Sequence, residues 1–587
     1  MDNLTVAGAG DTMDRNLSAE PQTEPPTAAL EPPSPRQQLF EALFTAFKNS
    51  LKENWERAQV ESHPLGKRLI RLVRATYEQR GLYPEAWRVQ FVRQARTLHS
   101  FTGYRDIRFL LFEWLRSRQF VPPDADMFVY ADARMRRHIK RLSQALQNSV
   151  ALTIPPLASA QQSGMTILTV DNPETADRDD ALSLRPLNGG YEIGVHTPLL
   201  EHAVARNSAW DAWAYDMAVS IYMPHLVIPM LPHEVATKYA SLDAGKIRPV
   251  LSFYFFTDGK SLPQFQRVCC EEIKIQRNAS YEQIAQWLAA SQLAEKMAGK
   301  WKVKDTQKVR DAELHTAVQV WIAAAQQFER KRLQAGGRKF DREQIDVRVG
   351  QDGAVQLRRY SQDSAEHKMV SEWMIAANHA AARFCAEQQL PCIYRVQETG
   401  GARENEEGSE NANNFVRPQS SLEMAPHRDL GIDGYTQITS PLRRYTDLLV
   451  QRQIVAFLRN EAPVYSPQEL VKRVAVIEET ARRIHKIEAR AEFYYKCVYL
   501  KQHRGETFNA EISYSPPPSR NVVLMLKDLG LRLFLPLASI KGMNAKQIPP
   551  ADSPLNVRAL CHNMDPERGT SIFQIKRAFE QSERRRE

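Results

Sequence analysis

The spacing of apolar residues changes character several times along the chain. Over residues 37–150, segments such as LFEALFTAFKNSLKENW and YRDIRFLLFEWLRSRQF place apolar residues three and four positions apart, which predicts amphipathic helices. Their polar faces are rich in Arg. Short helices with intervening turns predict a helix-turn-helix-like module, and a helical scaffold with solvated Arg faces explains the same pattern.

From about residue 151 the pattern becomes mixed. MTILTV (165–170) and ALSLRPL (181–187) alternate as strands do, and an acidic loop lies between them. Asn188-Gly189-Gly190 predicts a hairpin turn into a third strand, YEIGVH. Strands and helices then follow to about residue 360. Long helical patterns cover 367–389, 440–459 and 467–502.

The two ends of the chain differ from this middle part. Residues 1–36 are rich in Pro, Thr, Glu and Ala, which predicts disorder. Residues 501–578 contain about five short alternating strands, which predict a small OB-type β-barrel, and 579–587 form a basic tail. The expected fold is therefore an α+β multidomain protein: a disordered N-terminus, a helical domain (37–150), a mixed sheet surrounded by helices (151–500) and a C-terminal barrel.

Composition narrows the classes of function. The 587 residues carry a net charge of +9, which weakly favours a polyanionic partner. The sequence contains no run of about 18 apolar residues, so a membrane span is not expected. The first residues do not have the pattern of a secretory signal. The six cysteines form no C-x-x-C pair, so neither a zinc ribbon nor a disulfide framework is expected. We therefore expect a cytoplasmic protein, and a monomer.

The acidic loop DNPETADRDD contains four aspartates, Asp171, Asp177, Asp179 and Asp180. Clustered carboxylates repel one another unless a cation or solvent offsets the repulsion. Because strands tie both ends of the loop to a core, we favour a metal site over a solvated acidic turn. A bend in the loop could bring all four carboxylates together. Hard oxygen ligands select Mg²⁺, or Mn²⁺, rather than zinc.

A second charged segment, SPLRRYTD, predicts a phosphate site. Ser440 is a suitable N-cap and Pro441 a suitable first residue for a helix. Arg443 and Arg444 would then lie in the first turn, where cations are unfavourable unless an anion binds. Pairing of the arginines with Asp447 is the alternative. A carboxylate-held metal beside such cations predicts phosphoryl chemistry, in which the metal polarises a phosphate and activates water.

These motifs resemble segments of the ribonuclease II (RNB) family. The spacing D-x5-D-x-D-D followed by ALS resembles its catalytic signature, and TSPLRRYTDLLVQRQ resembles its second conserved segment. YMPHLVIPMLP (222–232), IRPVLSF (247–253) and MVSEWMIAAN (369–378) match further segments in the family's order, so that the resemblance covers about 165–460. The β-rich section after residue 500 resembles the S1-type OB-fold, an RNA-binding domain that usually follows.

The resemblance implies an activity and a set of site residues. The family hydrolyses single-stranded RNA processively from the 3′ end and releases nucleoside 5′-monophosphates with Mg²⁺. By motif, Asp171, Asp177 and Asp180 would be metal ligands and Asp179 the aspartate most closely linked to cleavage. Arg443 would hold the scissile phosphate.

The remaining implied residues would bind RNA. Arg444 would lie beside Arg443, and Tyr222 would clamp the 3′-terminal base. Tyr281 and Glu372 would lie near the terminal riboses and help to distinguish RNA from DNA. The alternative for Tyr222 is that it is a core tyrosine. The alternative for Tyr281 and Glu372 is a structural role.

Some positions depart from the family's pattern. The usual cold-shock barrels are absent from the sequence, and the helical module, with an implied role in RNA binding, stands in their place. Arg178 and Gln451 replace a commonly apolar residue and a frequent His, and HTPLLEHA (196–203) replaces a segment that often carries another Asp. The leading prediction is a 3′-to-5′ exoribonuclease that uses metal-activated water. The alternatives are a catalytically weak RNA-binding regulator on the same scaffold and a DNA-binding protein.

Overall fold

A computed structural model gives the architecture. It describes residues 34–77, 83, 85–98, 107–122, 125–130, 165–297, 306–339, 343–361, 363–397, 418–515, 521–551, 553–566 and 570–577. The expectations for 1–33, 131–164 and the basic tail lie outside these residues.

The first described part is helical, as predicted. Its helices are α1 (Pro35–Lys52), α2 (Arg57–Ser62), α3 (Gly66–Tyr77), α4 (Glu85–Arg96), α5 (Ile107–Ser117) and α6 (Met127–Tyr130). Buried rings hold them together, for example Phe47 against Phe91 with ring centroids 5.0 Å apart. The predicted disorder of residues 34–36 is wrong, because the Ser34 side chain accepts a hydrogen bond from Gln37 N and α1 begins at Pro35.

A six-stranded mixed sheet forms the centre of the molecule. Its strands are β1 (Thr166–Asp171), β2 (Ala181–Leu187), β3 (Gly190–Pro198), β6 (Ile247–Thr257), β7 (Gln264–Lys274) and β8 (Arg277–Ser280), in the order β7-β6-β3-β2-β1-β8. Only β1 and β8 run parallel. The predicted hairpin is confirmed: Leu187 pairs with Gly190, and Gly189 has a φ of +83° that glycine adopts without strain.

Helices and short hairpins surround this sheet. The helices are α7 (Leu200–Ala203), α8 (Ala209–Met217), a π-helical turn (Glu234–Ala240), α9 (Tyr281–Met297), α10 (Thr306–Gln334), α11 (Ala365–Glu387), α12 (Tyr445–Leu458) and α13 (Pro467–Gln502). The hairpins are β4 (Ile221–Met223) with β5 (Leu226–Ile228), β9 (Glu343–Val349) with β10 (Val355–Ser361), and β11 (Tyr394–Val396) with β12 (Gln419–Ser421).

Buried tryptophans connect the sheet to the helices on one face. Trp321 of α10 donates its Nε1–H to Ser183 O of β2, and Trp373 of α11 donates to Trp321 O. Both rings are fully buried within the largest hydrophobic core. This packing fixes α10 and α11 relative to the two strands that flank the acidic loop.

The helix expected from residue 440 begins five residues later, so that prediction is wrong. Residues 440–444 form a turn, and α12 begins at Tyr445. The cause is tertiary: Tyr445 N, which a helix from Pro441 would pair with Pro441 O, donates instead to Ala218 O at 2.8 Å. In addition, Ser440 N donates to Asp447 Oδ1 at 2.9 Å, and Leu442 N donates to Asp179 Oδ1 at 2.9 Å. Carboxylates therefore bind the amides of this segment in a non-helical conformation.

The last described part is a second six-stranded sheet. Its strands are β13 (Thr507–Tyr514), β14 (Val522–Leu526), β15 (Leu531–Leu535), β16 (Ile540–Lys541), β17 (Leu555–Asp565) and β18 (Thr570–Arg577), in the order β15-β14-β13-β17-β18-β16. This is one strand more than the sequence indicated, because β16 has only two residues. Its assignment as an S1-type barrel stays a prediction. Within the described ranges, no helix has the length and apolar character needed to cross a bilayer.

Candidate active site

The acidic loop joins two neighbouring strands of the central sheet. Asp171 is the last residue of β1, and β2 begins at Ala181 directly after Asp180. The parallel pairing of β1 with β8 places Ser280 beside Asp171. The loop is therefore anchored at both ends by the sheet, as the sequence indicated.

Asp179 connects this loop to the segment before α12. Its side chain is only 5% exposed. It accepts hydrogen bonds from Leu442 N at 2.9 Å and from Arg443 Nε at 3.1 Å. Burial raises the pKa of Asp179 to about 7, and the Arg443 guanidinium opposes that rise. Two segments more than 250 residues apart in sequence therefore meet at one carboxylate.

The other three aspartates lie within electrostatic reach of one another. Burial raises the pKa of Asp171 to about 6 and also raises the pKa of Asp177. Burial, followed by repulsion from Asp171 and Asp179, raises the pKa of Asp180 well above its usual range. The loop therefore concentrates negative charge where water does not screen it fully.

One buried carboxylate oxygen of the acidic loop indicates whether these residues could hold a metal ion. Asp171 Oδ2 is buried without a hydrogen-bond donor, and Arg178 Nε lies 3.8 Å away. An orphaned carboxylate oxygen among repelling carboxylates fits a hard divalent cation. In the part of the chain that the structure describes, however, no three His, Cys, Asp or Glu side chains form a ready-made ligand set. The convergence of all four aspartates is therefore not preformed.

A comparison with known protein families shows to which family the chain belongs. The model of the RNB domain matches residues 161–424 and 411–460, which together make up more than half of the chain. The chain belongs to the RNB family.

Several ribonucleases are similar in sequence to this RNB protein. An uncharacterized ribonuclease of Synechocystis sp. is 26% identical over 395 residues, covering 65% of this chain and 56% of the relative. Ribonuclease R of Thermotoga maritima is 25% identical over 428 residues (64% and 56%). Exoribonuclease 2 of Haemophilus influenzae is 24% identical over 437 residues (64% and 62%). The matched region spans about three-fifths of the length of these relatives.

Two solved structures share the fold. An active-site mutant of the Dss1 exoribonuclease from Candida glabrata superposes with a TM-score of 0.69 at 17% identity, covering 92% of this chain and 70% of that chain. Mycoplasma genitalium RNase R in complex with ribose-methylated single-stranded RNA gives a TM-score of 0.56 at 17% identity, covering 80% and 78%. At this identity the likeness concerns the fold.

The two adjacent arginines of the RNB protein differ in their surroundings. Arg443 is 45% exposed and also donates to Ser440 Oγ at 3.0 Å. Arg444 makes a two-pronged ion pair with Asp447, which is fully buried, at 2.9 Å and 2.7 Å. The alternative of pairing with Asp447 is thus observed for Arg444, and Arg443 is the arginine open to a ligand.

Both predicted tyrosines lie beside the acidic loop. Tyr222 of β4 is 43% exposed, so the core alternative is wrong. Burial of its hydroxyl raises its pKa, as does the neighbouring Asp177. Tyr281 is the first residue of α9, and burial, followed by Asp180 and Asp171, raises its pKa. Carboxylates of the loop therefore act electrostatically on the hydroxyl groups of both tyrosines.

Glu372 of α11 is held by a buried ion pair. It is 5% exposed and makes a two-pronged ion pair with Arg332 of α10, with 2.9 Å between Arg332 Nε and Glu372 Oε2. Arg332 also donates to Leu430 O at 2.8 Å. Burial raises the pKa of Glu372, and its pairing with Arg332 opposes that rise. A contact between Glu372 and a ribose would first require this buried pair to open.

Sequence reasoning missed several neighbours of the loop. His233 lies close enough to Asp177 to lower its pKa, and Arg178 donates to Asp243 Oδ1 at 3.0 Å. Arg358 of β10 lies 3.9 Å from Glu174. These contacts join segments that are distant in sequence, so no local pattern signals them.

Gln451 has a structural role. Its side chain accepts from Glu201 N and donates to Pro198 O, both at 2.9 Å. It therefore holds the segment 198–201 against α12.

Proposed function

We propose that this protein is a hydrolytic, processive exoribonuclease that shortens single-stranded RNA from the 3′ end and releases nucleoside 5′-monophosphates. The observation that carries this proposal is the contact of half-exposed Arg443 with buried Asp179, next to Asp171 and Asp180. The site thus presents a fixed cation at the edge of a carboxylate cluster. The ribonucleases that resemble this chain support the same reading.

Arg443 is suited to hold the scissile phosphate. Its bonds to Asp179 and Ser440 fix the guanidinium before a substrate arrives. A preorganised donor stabilises developing charge without reorganisation during the reaction. The exposed remainder of the guanidinium is then free to donate to phosphate oxygens.

Asp171, Asp177 and Asp180 would hold Mg²⁺, or Mn²⁺ in its place. When bound, such an ion neutralises phosphate charge and lowers the pKa of water. Metal binding would favour loss of protons from these carboxylates, because burial raises the pKa of Asp171 to about 6 and raises the pKa of Asp180. Asp179 would orient Arg443. It would also orient the reacting groups that lie between Arg443 and the acidic loop.

Tyr222 and Tyr281 would bind the end of the RNA. The exposed ring of Tyr222 can stack on a terminal base of any identity. Tyr281 would lie near the terminal ribose, whose 2′-hydroxyl distinguishes RNA from DNA. The helical part touches the Tyr222 hairpin, because His225 Nε2 lies 2.6 Å from Asp126 Oδ2. We propose that this part and the C-terminal sheet, as an S1-type domain, guide single-stranded RNA to the site of a monomeric, cytoplasmic enzyme.

The test uses 5′-labelled single-stranded RNA with Mg²⁺ or with EDTA. We expect stepwise shortening from the 3′ end with metal only, and nucleoside 5′-monophosphates as products. Asp179→Asn should abolish shortening, because the amide can still accept from Leu442 N but no longer carries charge beside Arg443. Asp258→Asn, in the exposed turn between β6 and β7, is the matched control and should be as active as the wild type.

A second candidate is a catalytically weak RNA-binding regulator. It is favoured by Arg178, whose guanidinium lies 3.8 Å from Asp171 Oδ2 and competes with a metal ion for that carboxylate. Tight binding of RNA without shortening in Mg²⁺ or Mn²⁺ would support the regulator and contradict the enzyme.

A further inference from the structure

Three rings from three different elements stack beside the acidic loop. The ring centroids of Tyr281 and His367 are 4.0 Å apart with an interplanar angle of 8°. Tyr360 stacks on His367 at 5.3 Å and 17°. Tyr281 begins α9, His367 lies in the first turn of α11, and Tyr360 lies near the end of β10. The imidazole therefore links the two tyrosines.

The sheet fixes where this stack meets the acidic loop. Ser280 is registered beside Asp171, and Tyr281 is the next residue. Asp180 and Asp171 are the carboxylates that act on the Tyr281 hydroxyl. Tyr281 is thus the ring through which the stack reaches the candidate active site.

His367 is held in place by its own helix. Its Nδ1 lies 2.8 Å from the hydroxyl of Ser364, the residue that precedes α11, and its side chain is only 19% exposed. Burial lowers the pKa of His367, Glu366 opposes this and Arg358 adds to it, so the net shift favours the neutral ring. A neutral planar ring at this position acts by stacking rather than by charge.

The third ring is held against α9 by a charged contact. Arg358 lies two residues before Tyr360 and therefore on the same face of β10. It forms an ion pair with Glu282, the residue after Tyr281. On the opposite face Arg359 donates to Asp528 O at 2.9 Å. The hairpin is consequently fixed on both sides, which leaves the stack little freedom.

We propose that His367 is a positioning residue. By stacking between Tyr360 and Tyr281 it fixes the ring of Tyr281 beside the acidic loop, and it thereby sets the preference of the enzyme for ribose over deoxyribose at the 3′ terminus. Discrimination by a single hydroxyl requires the protein group that meets it to be held closely in place. This inference rests on the proposed exoribonuclease function and assigns a further residue to that site.

The test compares two substrates that differ by one atom. One is single-stranded RNA, and the other is the same RNA with a 2′-deoxynucleotide at the 3′ terminus. We expect wild-type protein to prefer the first, expressed as the ratio of kcat/KM for removal of the terminal nucleotide. His367→Ala should lower this ratio about tenfold or more, whereas His367→Phe, which keeps a planar ring, should retain it.

A second stacked pair provides the matched control. Tyr499 and His503 stack at 3.8 Å and 21° near the end of α13, and neither residue belongs to the candidate site. His503→Ala should leave the ratio unchanged. Thermal unfolding of each variant shows whether the fold is retained.

Each outcome has a defined meaning. If wild-type protein does not shorten RNA in any divalent metal, the proposed function fails, and the inference with it. If wild-type protein shortens RNA but shows no preference, or if His367→Ala keeps the wild-type ratio, only the inference is overturned. Should His367→Ala be inactive, His367→Phe decides: a retained ratio supports the inference, and a lost ratio overturns it.

Discussion

Buried charges occur in two regions of this protein, and they are balanced very differently. In the region around α8 and α12, buried Arg452 donates to Asp211 Oδ1 at 2.7 Å and to the Tyr465 hydroxyl at 2.6 Å. Asp211 also accepts from the Tyr445 hydroxyl at 2.7 Å. In the acidic loop, by contrast, carboxylates outnumber the cations that face them, and one oxygen of Asp171 has no donor.

The difference shows how one chain separates stability from function. In the first region each buried charge faces its opposite, although Arg452 Nε has no hydrogen-bond acceptor, and losing either partner of the pair is costly. A buried cluster with unmatched charge opposes folding until a ligand supplies the missing charge. The first region therefore maintains the fold, and the second, at some cost in stability, suits the cation and the phosphate of the proposed function.

The largest effect should follow from breaking the balanced region. Asp211→Ala leaves Arg452 buried without its carboxylate, so the free energy of unfolding should fall by about 3–5 kcal/mol. Urea unfolding of wild type and variant measures this difference. Glu461→Ala, in the exposed segment after α12, is the control and should stay within about 0.5 kcal/mol of wild type. A loss below about 1 kcal/mol for Asp211→Ala would show that the two regions do not differ as described.

Removing a charge from the acidic loop should raise the free energy of unfolding rather than lower it. In EDTA, Asp180→Asn should raise the free energy of unfolding by about 0.5–2 kcal/mol, because it removes repulsion from Asp171 and Asp179. Mg²⁺ should stabilise wild-type protein and should stabilise this variant much less, since ligand binding to the folded state adds to its stability. Thermal unfolding with and without Mg²⁺ makes the comparison. Destabilisation by Asp180→Asn in EDTA would contradict it.

The pH dependence of stability should also mark the acidic loop. Burial raises the pKa of Asp179 to about 7 in the folded protein, from the ordinary value of 3.8. Between these values the folded state keeps a proton that the unfolded state has lost. The resulting stability is complete below pH 3.8 and is lost as the pH rises through about 7.

Asp179→Asn isolates this contribution. The variant should gain stability relative to metal-free wild type as the pH is raised from about 5 to about 8, by an amount on the order of 1 kcal/mol. Denaturant unfolding in EDTA at both pH values measures it. A difference between the two proteins that does not vary with pH would refute the assignment to Asp179.

His196 provides a contrasting titration in the sheet. It is buried between the hydroxyls of Ser252 and Ser183, and burial lowers its pKa to about 3. Its contribution is complete above the ordinary pKa of 6.5 and is lost as the pH falls towards about 3. Wild-type protein therefore contains opposing trends, which is why the variant comparison is needed.

Much of the fold could be predicted because its signals are local. The strands β1 and β2 and the helix α13 lie within one or two residues of their predicted bounds. Alternation marks the strands, and Ser466 with Pro467 and Glu469 forms the capping box that begins α13. The same kind of signal was misleading at Ser440, because Tyr445 N, which the expected helix would have used, donates to Ala218 O instead.

The site could be predicted only in part for a similar reason. The aspartates adjoin one another in sequence, so a motif reveals them. The RNA-binding roles expected of Arg444 and Glu372 depended on whether each side chain forms an ion pair within the protein. Each is held by a buried partner, Asp447 or Arg332, and the latter lies 40 residues from Glu372 in sequence. Such pairings follow from tertiary packing and leave no periodic trace.

The smallest effect should come from Arg178, the residue that partly balances the acidic loop. Its guanidinium lies 3.8 Å from Asp171 Oδ2 and is also bonded to Asp243. Arg178→Leu removes this cation but keeps the backbone bond from residue 178 N to Ser241 Oγ, so the loop should retain its path.

Without the competing cation, Mg²⁺ should bind a few-fold more tightly, which corresponds to about 0.2–1 kcal/mol for a partly exposed ion pair. Calorimetric titration with Mg²⁺ measures the change. Arg267→Leu, which removes an ion pair with Glu192 on the sheet, is the matched control and should leave the affinity unchanged. Weaker binding by Arg178→Leu would mean that Arg178 holds Asp171 in position for the metal, and the acidic loop would then be more nearly balanced than the comparison with Asp211 and Arg452 implies.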